Sequence, residues 1–252
     1  MARSKYISTH GIILDKRLHR DEKAIYIVVL TSDLGKIDVL VRGARKDTHK
    51  WGASFEPLEG GEMILYPIGD RYVLTAAQVD TLPPKLLRRY PMLRMGIATL
   101  VDSSVMKDSE SYAEWDTLVS FLHSKMTGKT AIAKFLLEYI GVMGYRVFMS
   151  GATCGICGKE YDEKEMWYYT PYEGYLVCEQ CNVIHGVKLG TYTISNQVLK
   201  EIVRLKKLPW HYSEDFISED AYRLILDRTF ATIPVSESVK HAFYSFGGKS
   251  SG

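Results

Sequence analysis

The stretch AIYIVVLTSDLGKIDVLVR, residues 24–42, decides the fold of the N-terminal third of the chain. Its first part, Ala24–Leu30, is rich in β-branched and aromatic residues, and Ser32–Gly35 has the composition of a turn. In Lys36–Arg42, β-branched residues occupy every second position, which is the period of a half-buried strand. The stretch therefore predicts two strands joined by a tight turn.

Three further segments in this third of the chain carry the same signal: Tyr6–Leu14, Gly61–Tyr66 and Tyr72–Val79. Turn-rich residues separate the last two of them, so short loops are expected between strands. Five short strands connected in this way are typical of a small closed barrel. Because strand side chains alternate between two faces, we expect Lys36 and Arg42 to leave the face opposite the core.

The pattern changes to a helical period after Pro83-Pro84. It predicts three helices before the cysteines, at about Leu86–Met106, Tyr112–Met126 and Thr130–Met143. It predicts two or three more after them, near Ser195–Lys207, Ser218–Thr232 and Ser236–Phe246. Ser195 has the character of an N-cap, and Pro209 stops the helix that Ser195 begins. The sequence thus predicts strands followed by helices, an α+β arrangement.

The charge of the chain is unevenly distributed. Over the whole 252 residues the formal net charge is only +2, but residues 1–89 carry 15 Lys and Arg against 11 Asp and Glu. Residues 151–252 carry 11 against 13. A positive N-terminal third suits a polyanion, either a nucleic acid or an acidic protein surface.

All four cysteines stand in two CxxC pairs, Cys154-Gly-Ile-Cys157 and Cys178-Glu-Gln-Cys181. In a reducing cytosol, paired knuckles at this spacing indicate a metal rather than disulfides or four free thiols. Four thiolates around tetrahedral Zn²⁺ leave no position for substrate, so we predict one structural zinc per chain. His185 is the alternative fourth ligand, but we interpret it as an ordinary loop histidine.

A basic loop, VRGARKDTHKWG at residues 41–52, follows the second strand of the opening stretch. Its cations, which only Asp47 opposes, are Arg42, Arg45, Lys46 and Lys50. A charge run is often just a solvated surface. The functional interpretation is a positive groove with aromatic platforms for a single nucleic-acid strand. The aromatic residues near the loop, which are either platforms or core, are Trp51, Phe55, Tyr66 and Tyr72.

The sequence offers no catalytic centre. Gly128-Lys129-Thr130 resembles the end of a phosphate-binding loop, but His123 stands where the first glycine of that motif is required. Gly248-Lys249-Ser250 fails in the same way, with Phe243 at that position. The GxSxG and HExxH motifs are absent. No membrane-spanning run and no signal peptide are apparent, so we expect a cytosolic protein that is not an enzyme.

Several of these segments together resemble the bacterial DNA repair protein RecO family. They are GIIL on the first strand, VVLTSDLGKIDVLVRGARK, FEPLEGGEMILY, the Gly144-Tyr145-Arg146 end of a helical stretch, and the CxxC…CxxC module. The resemblance spans most of the chain and is weakest after residue 205. It implies an OB-fold at residues 1–81, a helical domain at 82–150 and 187–252 that includes the tail, and an inserted zinc module at 151–186.

The resemblance also implies a recombination mediator without nucleotide hydrolysis, associated with the bacterial nucleoid. Such a protein binds single- and double-stranded DNA and anneals complementary strands. With RecR it helps load RecA onto DNA covered by single-stranded DNA-binding protein, whose C-terminal tail is a further partner. The family's DNA-binding face corresponds here to Lys36, Arg42, Arg45 and Lys46, and more loosely to Lys50, Lys16, Arg17 and Arg71.

Two other functions fit the same residues. A zinc-ribbon RNA-binding or translation-associated protein would share the barrel, because the sequence pattern of an OB-fold does not separate DNA from RNA. A nuclease would require an acidic cluster, which the sequence lacks. Competition between DNA and RNA, and incubation of labelled DNA with magnesium, separate these alternatives.

Overall fold

A computed structural model describes residues 6–20, 23–44, 55–145 and 153–247. The chain divides into two compact units. The first unit is Met1–Leu122 with Val235–Ala242, and the second is His123–Pro234 with Phe243–Gly252. Arg45, Lys46, Lys50 and Trp51 lie outside the described residues.

The first unit contains a closed five-stranded barrel with the strand order β1-β2-β3-β5-β4. Its strands are β1 (Ile7–Leu18), β2 (Ile25–Thr31), β3 (Lys36–Val41), β4 (Gly60–Ile68) and β5 (Arg71–Thr81). Neighbouring strands are antiparallel except β3 and β5, which run parallel where the barrel closes. The predicted five-stranded, OB-like barrel is confirmed.

The barrel core follows the alternation that the sequence predicts. Every second residue of β2, from Ile25 to Val29, and of β3, from Ile37 to Val41, belongs to one buried cluster. Burial of these side chains removes apolar surface from water, at about 25 cal/mol per Å², and this is the main force that holds the strands in register. The intervening residues of β2 and β3 therefore face outward.

The turn between β2 and β3 is fixed by Thr31 and Gly35. The Thr31 hydroxyl donates a hydrogen bond to the Gly35 carbonyl at 2.8 Å and accepts one from the Leu34 amide at 2.9 Å. Gly35 has φ +69°, and a Cβ there would lie 2.0 Å from the Ser109 carbonyl oxygen. Only glycine fits this position, because other residues would be both strained and in collision.

Three helices follow the barrel in the first unit: α1 (Lys85–Arg89), α2 (Pro91–Ser104) and α3 (Tyr112–Leu122). The prediction of one helix over Leu86–Met106 is wrong, since α1 and α2 are separate. The break falls at Tyr90, with φ −120° and ψ 78°, because the proline ring of Pro91 disfavours helical backbone in the residue before it. Helix α2 packs against β1.

The second unit begins with α4 (Gly128–Val142), which lies close to the predicted Thr130–Met143. After the cysteine module come α6 (Asn196–Lys207) and α7 (Glu219–Thr232). The last helix of the described chain, α8 (Glu237–Gly247), has residues in both units. Ser195 caps α6, accepting a hydrogen bond from the Val198 amide at 3.3 Å, as predicted. Ser218 caps α7 in the same way through the Ala221 amide.

The cysteine module contains a three-stranded sheet and a helix that the sequence does not predict. The strands are β6 (Trp167–Thr170), β7 (Tyr175–Cys178) and β8 (Tyr192–Ile194), in the order β7-β6-β8, and the helix is α5 (Glu179–Leu189). The sheet thus reaches beyond residue 186. Among the described residues, no helix combines the length and apolar character needed to cross a membrane.

Candidate metal centre and nucleic-acid interface

The four cysteine sulfurs lie close together in the second unit. All four Sγ atoms are within 4.8 Å of one another, and those of Cys157 and Cys178 are 3.7 Å apart. A tetrahedral ion with bonds of about 2.3 Å to sulfur requires sulfur atoms about 3.8 Å apart. The group therefore fits one tetrahedral metal ion, as predicted.

Local structure explains how the two CxxC pairs meet. In the first pair, the Gly158 amide donates to the Cys154 carbonyl at 2.9 Å and closes a tight turn. In the second pair, Cys178 ends β7 and Cys181 lies in the first turn of α5. The Cys178 amide donates to the Cys154 sulfur at 3.4 Å, which links the two pairs. Amide donors and a helix N-terminus both favour thiolates.

The environment of the thiols differs from one sulfur to another. Burial raises the pKa of the Cys154 thiol, but amide hydrogen bonds from Cys157, Cys178 and Ile156 outweigh burial and lower that pKa to about 6. Burial, with the neighbouring thiols, raises the pKa of Cys181 to about 12. A divalent cation would stabilise all four as thiolates together, because it supplies the positive charge that the pocket lacks.

His185 is not part of this sulfur group. It lies on α5, exposed, so its interpretation as a loop histidine is wrong in position. Among the described residues, the four cysteines form the one group of three or more His, Cys, Asp or Glu side chains with metal-binding geometry.

The outward face of the barrel has one covered end. Lys36 leaves the core side as predicted, but its side chain is only 14% exposed and its ammonium lies 3.1 Å from Asp102 Oδ1 on α2. Leu30, paired with Lys36 across β2 and β3, is also buried although it faces outward. Helix α2 thus lies over this end of the face. A DNA contact by Lys36 stays a prediction.

The other end of the outward face carries exposed arginines from three strands. Arg42, just past the end of β3, is exposed and makes no ion pair with any residue that the structure describes. Arg17 on β1 and Arg71 on β5 have side chains that are each 58% exposed. Arg17 lies 2.6 Å from Asp15, and Arg71 lies 4.0 Å from Asp70. Exposed pairs of this kind contribute about 0–1 kcal/mol, so they leave both cations able to bind another anion. Arg17 also lies 3.6 Å from Asp102, whose side chain is 22% exposed.

Tyr26, which the sequence analysis missed, lies among these arginines. Its neighbours in β2, Ile25 and Ile27, are core residues, so its ring faces outward. The guanidinium of Arg71 is 5.8 Å from the centre of the ring and donates to the Tyr26 hydroxyl at 3.2 Å. The ring of His19 contacts Tyr26 edge-on at 4.9 Å. The alternation in β2 is the signal that identifies Tyr26.

The other residues predicted at the nucleic-acid interface contact groups other than Tyr26. Lys16 lies 2.8 Å from Glu56, with its side chain 35% exposed. Of the nearby aromatic residues, Phe55 is in the barrel core and Tyr72 packs against it. Tyr66 faces outward and contacts the ring of Tyr6 at 5.5 Å. Of the predicted cations, Arg17 and Arg71 thus both lie beside Tyr26, and the exposed Arg42 follows the end of the neighbouring strand β3.

Gly128-Lys129-Thr130 is a structural feature rather than a phosphate site. The carboxylate of Asp215 accepts hydrogen bonds from the Thr130 amide at 3.0 Å and the Thr130 hydroxyl at 2.8 Å. Lys129 forms an ion pair with Glu219. An anion from the chain itself therefore caps the start of α4, where a nucleotide phosphate would have to bind.

A cavity of about 230 Å³ lies in the second unit between α4 and α6. Its lining is apolar at Leu137 and Gly141 and aromatic at Tyr145, and Lys206 lies at its edge. Glu138 also lines it, and its carboxylate pairs with the buried Lys134. The cavity thus combines an apolar interior with a cation.

Comparison with known proteins agrees with this architecture. The family described as "Recombination protein O N terminal" matches residues 1–82, the barrel. The chain is 23% identical to the DNA repair protein RecO of Alkaliphilus metalliredigens, over 92% of this chain and 99% of that protein. It is 24% identical to RecO of Caldicellulosiruptor bescii, over 81% and 84%, and 28% identical to RecO of a Nocardioides species, over 66% and 71%. The resemblance to RecO is confirmed.

Proposed function

We propose, for a chain that resembles RecO proteins over most of its length, a role as a DNA-binding recombination mediator in DNA repair. The protein binds single- and double-stranded DNA and anneals complementary strands without being an enzyme. With RecR, it helps load RecA onto DNA that is covered by single-stranded DNA-binding protein. This work takes place in the cytoplasm, at the nucleoid.

The observation that carries the proposal is the group of Arg17, Arg42 and Arg71 on one open end of a five-stranded barrel. Guanidinium groups pair with phosphates and release the counterions that the phosphates hold. Beyond Arg42, outside the described residues, the sequence adds Arg45, Lys46 and Lys50. These cations form the proposed DNA-binding face.

Annealing follows from the chemistry of such a face. Two complementary strands repel each other through their phosphates, and cations that neutralise phosphates lower this repulsion. Phosphate contacts carry no base information, so the protein does not select the sequence. Base pairing between the two strands then supplies all the specificity. No bond is made or broken by the protein, which agrees with the absence of a recognisable catalytic motif in the sequence.

The metal in our proposal is one structural Zn²⁺ held by Cys154, Cys157, Cys178 and Cys181. Four sulfur ligands at these separations suit zinc, and they leave no open coordination position for a substrate. The ion would contribute folding free energy to a small module built on a three-stranded sheet of short strands. We assign it no part in DNA binding.

The partner tail has a candidate site in the second unit. The tail of single-stranded DNA-binding protein is acidic and apolar, so it needs an apolar pocket with a cation at its edge. The cavity of about 230 Å³ with Leu137, Tyr145 and Lys206 has both properties. Because Lys134 pairs with Glu138, the acidic group in the lining does not repel the tail strongly.

An annealing assay tests the function directly. Two complementary oligonucleotides, one carrying a fluorophore and the other a quencher, are mixed with and without the protein, and with and without single-stranded DNA-binding protein. We expect faster annealing in the presence of this protein on both naked and covered strands. Unchanged annealing in both cases would contradict the proposal. Stronger binding of RNA than of DNA in competition would favour the RNA-binding alternative, and magnesium-dependent loss of labelled DNA would indicate a nuclease.

A further inference from the structure

Tyr26 differs from every other group on the proposed DNA-binding face because it is an aromatic ring among cations. The register of the barrel pairs Tyr26 with Arg17 of β1 on one side and with Leu40 of β3 on the other. Directly opposed residues on adjacent strands have Cβ atoms about 5 Å apart, so Arg17 is the immediate neighbour of the ring. Arg42 is two residues beyond Leu40 in the sequence, in the turn that follows β3.

The orientation of the ring is fixed by its neighbours. Arg71 donates a hydrogen bond to the Tyr26 hydroxyl at 3.2 Å, and its guanidinium lies 5.8 Å from the ring centre. His19 contacts the ring edge-on. A ring held in this way loses little conformational entropy when a second flat group stacks on it. Tyr26 itself is partly exposed and lies outside the barrel core cluster.

We infer that Tyr26 is a stacking platform for an unpaired base and makes this face prefer single-stranded DNA over duplex; the inference rests on the proposed function. In a duplex, the faces of the bases are covered by their neighbours, whereas in a single strand a base can turn onto an aromatic ring. The phosphates are available in both forms. The arginines therefore bind either form, and Tyr26 separates them.

The cations beside the Tyr26 ring are placed to bind the phosphates on either side of a stacked base. A base stacked on Tyr26 keeps its own phosphates within a few ångströms, and the flanking arginines come from the two neighbouring sides of the ring, Arg17 from β1 and Arg71 from β5. A single strand that crosses the face would thus meet a cation before and after the stacked base. Positive grooves with aromatic platforms bind single strands in this manner.

Three oligonucleotides of about 20 residues test the inference by fluorescence anisotropy at one moderate salt concentration. The first is an oligothymidylate strand, the second has the same length but abasic residues throughout its central part, and the third is a duplex. All carry phosphates, but only the first presents free base faces. The variants are Tyr26→Ala, which removes the ring, and Tyr26→Phe, which keeps the ring but loses the hydroxyl. Thermal unfolding of each variant checks that the barrel is intact.

We expect Tyr26→Ala to weaken binding of the thymidylate strand by about 5-fold to 100-fold, the range measured for loss of one base–aromatic stack. Binding of the abasic strand and of the duplex should change by less than about 2-fold. Tyr26→Phe should bind the thymidylate strand nearly as tightly as the unchanged protein. Equal loss on all three ligands, or equal loss in Tyr26→Phe and Tyr26→Ala, would overturn the inference, since the side chain would then act only by positioning Arg71.

The same experiment separates failure of this inference from failure of the proposed function. If the unchanged protein binds the thymidylate and abasic strands equally well, the protein binds DNA but stacks no base. If it binds none of the three ligands, the proposed function itself is wrong. An RNA strand of matching length is the last ligand. Tighter binding of RNA than of DNA that is lost in Tyr26→Ala would assign the platform to RNA and overturn its assignment to DNA.

Discussion

The ammonium of Lys36 lies 3.1 Å from Oδ1 of Asp102, and the two residues are separated by 66 positions in the sequence. The side chains are 14% and 22% exposed, so this pair is largely removed from solvent. Arg17 approaches the same carboxylate at 3.6 Å. Asp102 thus links α2 to the barrel face through Lys36 at the covered end and through Arg17 at the border of the open end.

The first prediction concerns this pair. Lys36→Ala should lower the free energy of unfolding by about 1–2 kcal/mol, less than for a fully buried pair, because Asp102 keeps Arg17 nearby and some solvent. The salt dependence of DNA binding should change little. Chemical denaturation and binding titrations measure the two effects. A clearly shallower salt slope with unchanged stability would identify Lys36 as a DNA contact, as the family resemblance implies.

The second prediction concerns the cations at the open end and beyond. If Arg42, Arg45, Lys46 and Lys50 each neutralise one phosphate, changing all four to Ala removes four released counterions. The slope of log K against log salt for single strands should become shallower by roughly 3, at about 0.7 per contact. For the triple change of Arg17, Arg42 and Arg71 to Ala, the corresponding value is about 2. The quadruple variant should keep the thermal unfolding of the unchanged protein, whereas the triple variant should be slightly less stable, because Arg17 also contacts Asp102 on α2.

A matched control is Lys188→Ala, which removes an exposed cation from α5 in the second unit. Its salt slope should equal that of the unchanged protein. The affinity of the quadruple and triple variants should fall to a similar degree for every base sequence, because phosphate contacts carry no base information. An unchanged slope in the quadruple variant would mean that the loop at residues 41–52 is only a solvated surface.

The third prediction concerns the metal. Protein purified without chelators should contain about one zinc per chain, measured by elemental analysis, with sulfur ligands visible in X-ray absorption. The double variant Cys154→Ser and Cys157→Ser should lose the metal and fold poorly, while His185→Ala should keep both the metal and the fold. Metal-free protein with an intact module would contradict the assignment.

The fourth prediction concerns the start of α4. Gly128 has φ +60°, and a Cβ there would lie 1.8 Å from Asp215 Oδ2. Gly128→Ala should therefore destabilise the second unit by on the order of 2 kcal/mol, through backbone strain and displacement of the capping carboxylate. Gly141→Ala is the matched control, because a Cβ at Gly141 meets nothing within 4 Å. Thermal unfolding compares the two variants, and equal stability would refute this role of Gly128.

The fifth prediction concerns the partner tail. Calorimetry with a peptide of the acidic, apolar C-terminal tail should detect binding at moderate salt, and Lys206→Glu should weaken it by at least about 10-fold, since the cation at the cavity edge becomes an anion. Lys188→Glu makes the same charge change away from the cavity and should leave tail binding unchanged. No binding to the unchanged protein, or equal loss in both variants, would rule out this cavity.

The barrel was predictable because its signal is local. Burial of every second residue in β2 and β3 follows directly from the pattern Ile25, Ile27, Val29 and Ile37, Val39, Val41. The covering of Lys36 was not predictable, since alternation gives only the side of the sheet. The residue that covers Lys36, Asp102, belongs to a helix much later in the chain, and no local pattern reports that contact.

Helix α5 was not predicted from the sequence, for a different reason. Its apolar residues Val183, Ile184 and Val187 are 81%, 68% and 103% exposed, so they do not form a stripe that faces a core. Sequence periodicity detects a helix through such a stripe. This helix is instead defined by its ends, with Cys178 at the N-cap and Gly190 in the left-handed conformation after its last turn. The cysteine spacing predicted the ligands but not the element that presents the last of them.

The parallel junction between β3 and β5 has the fewest paired residues of any strand pair in the barrel, with Val39 opposite Tyr72 and Leu40 opposite Val73. Local opening, observed as exchange of amide hydrogens with deuterium in solvent, is therefore expected there before it reaches the long β4–β5 ladder. Tyr26 lies on β2 and its partner Arg71 on β5, so their contact reaches across this junction. A DNA strand bound over Tyr26 and Arg71 would cover this junction from outside. Slower deuterium uptake at Leu40 and Val73 on addition of oligonucleotide would then be a signature of occupancy that requires no label on either molecule.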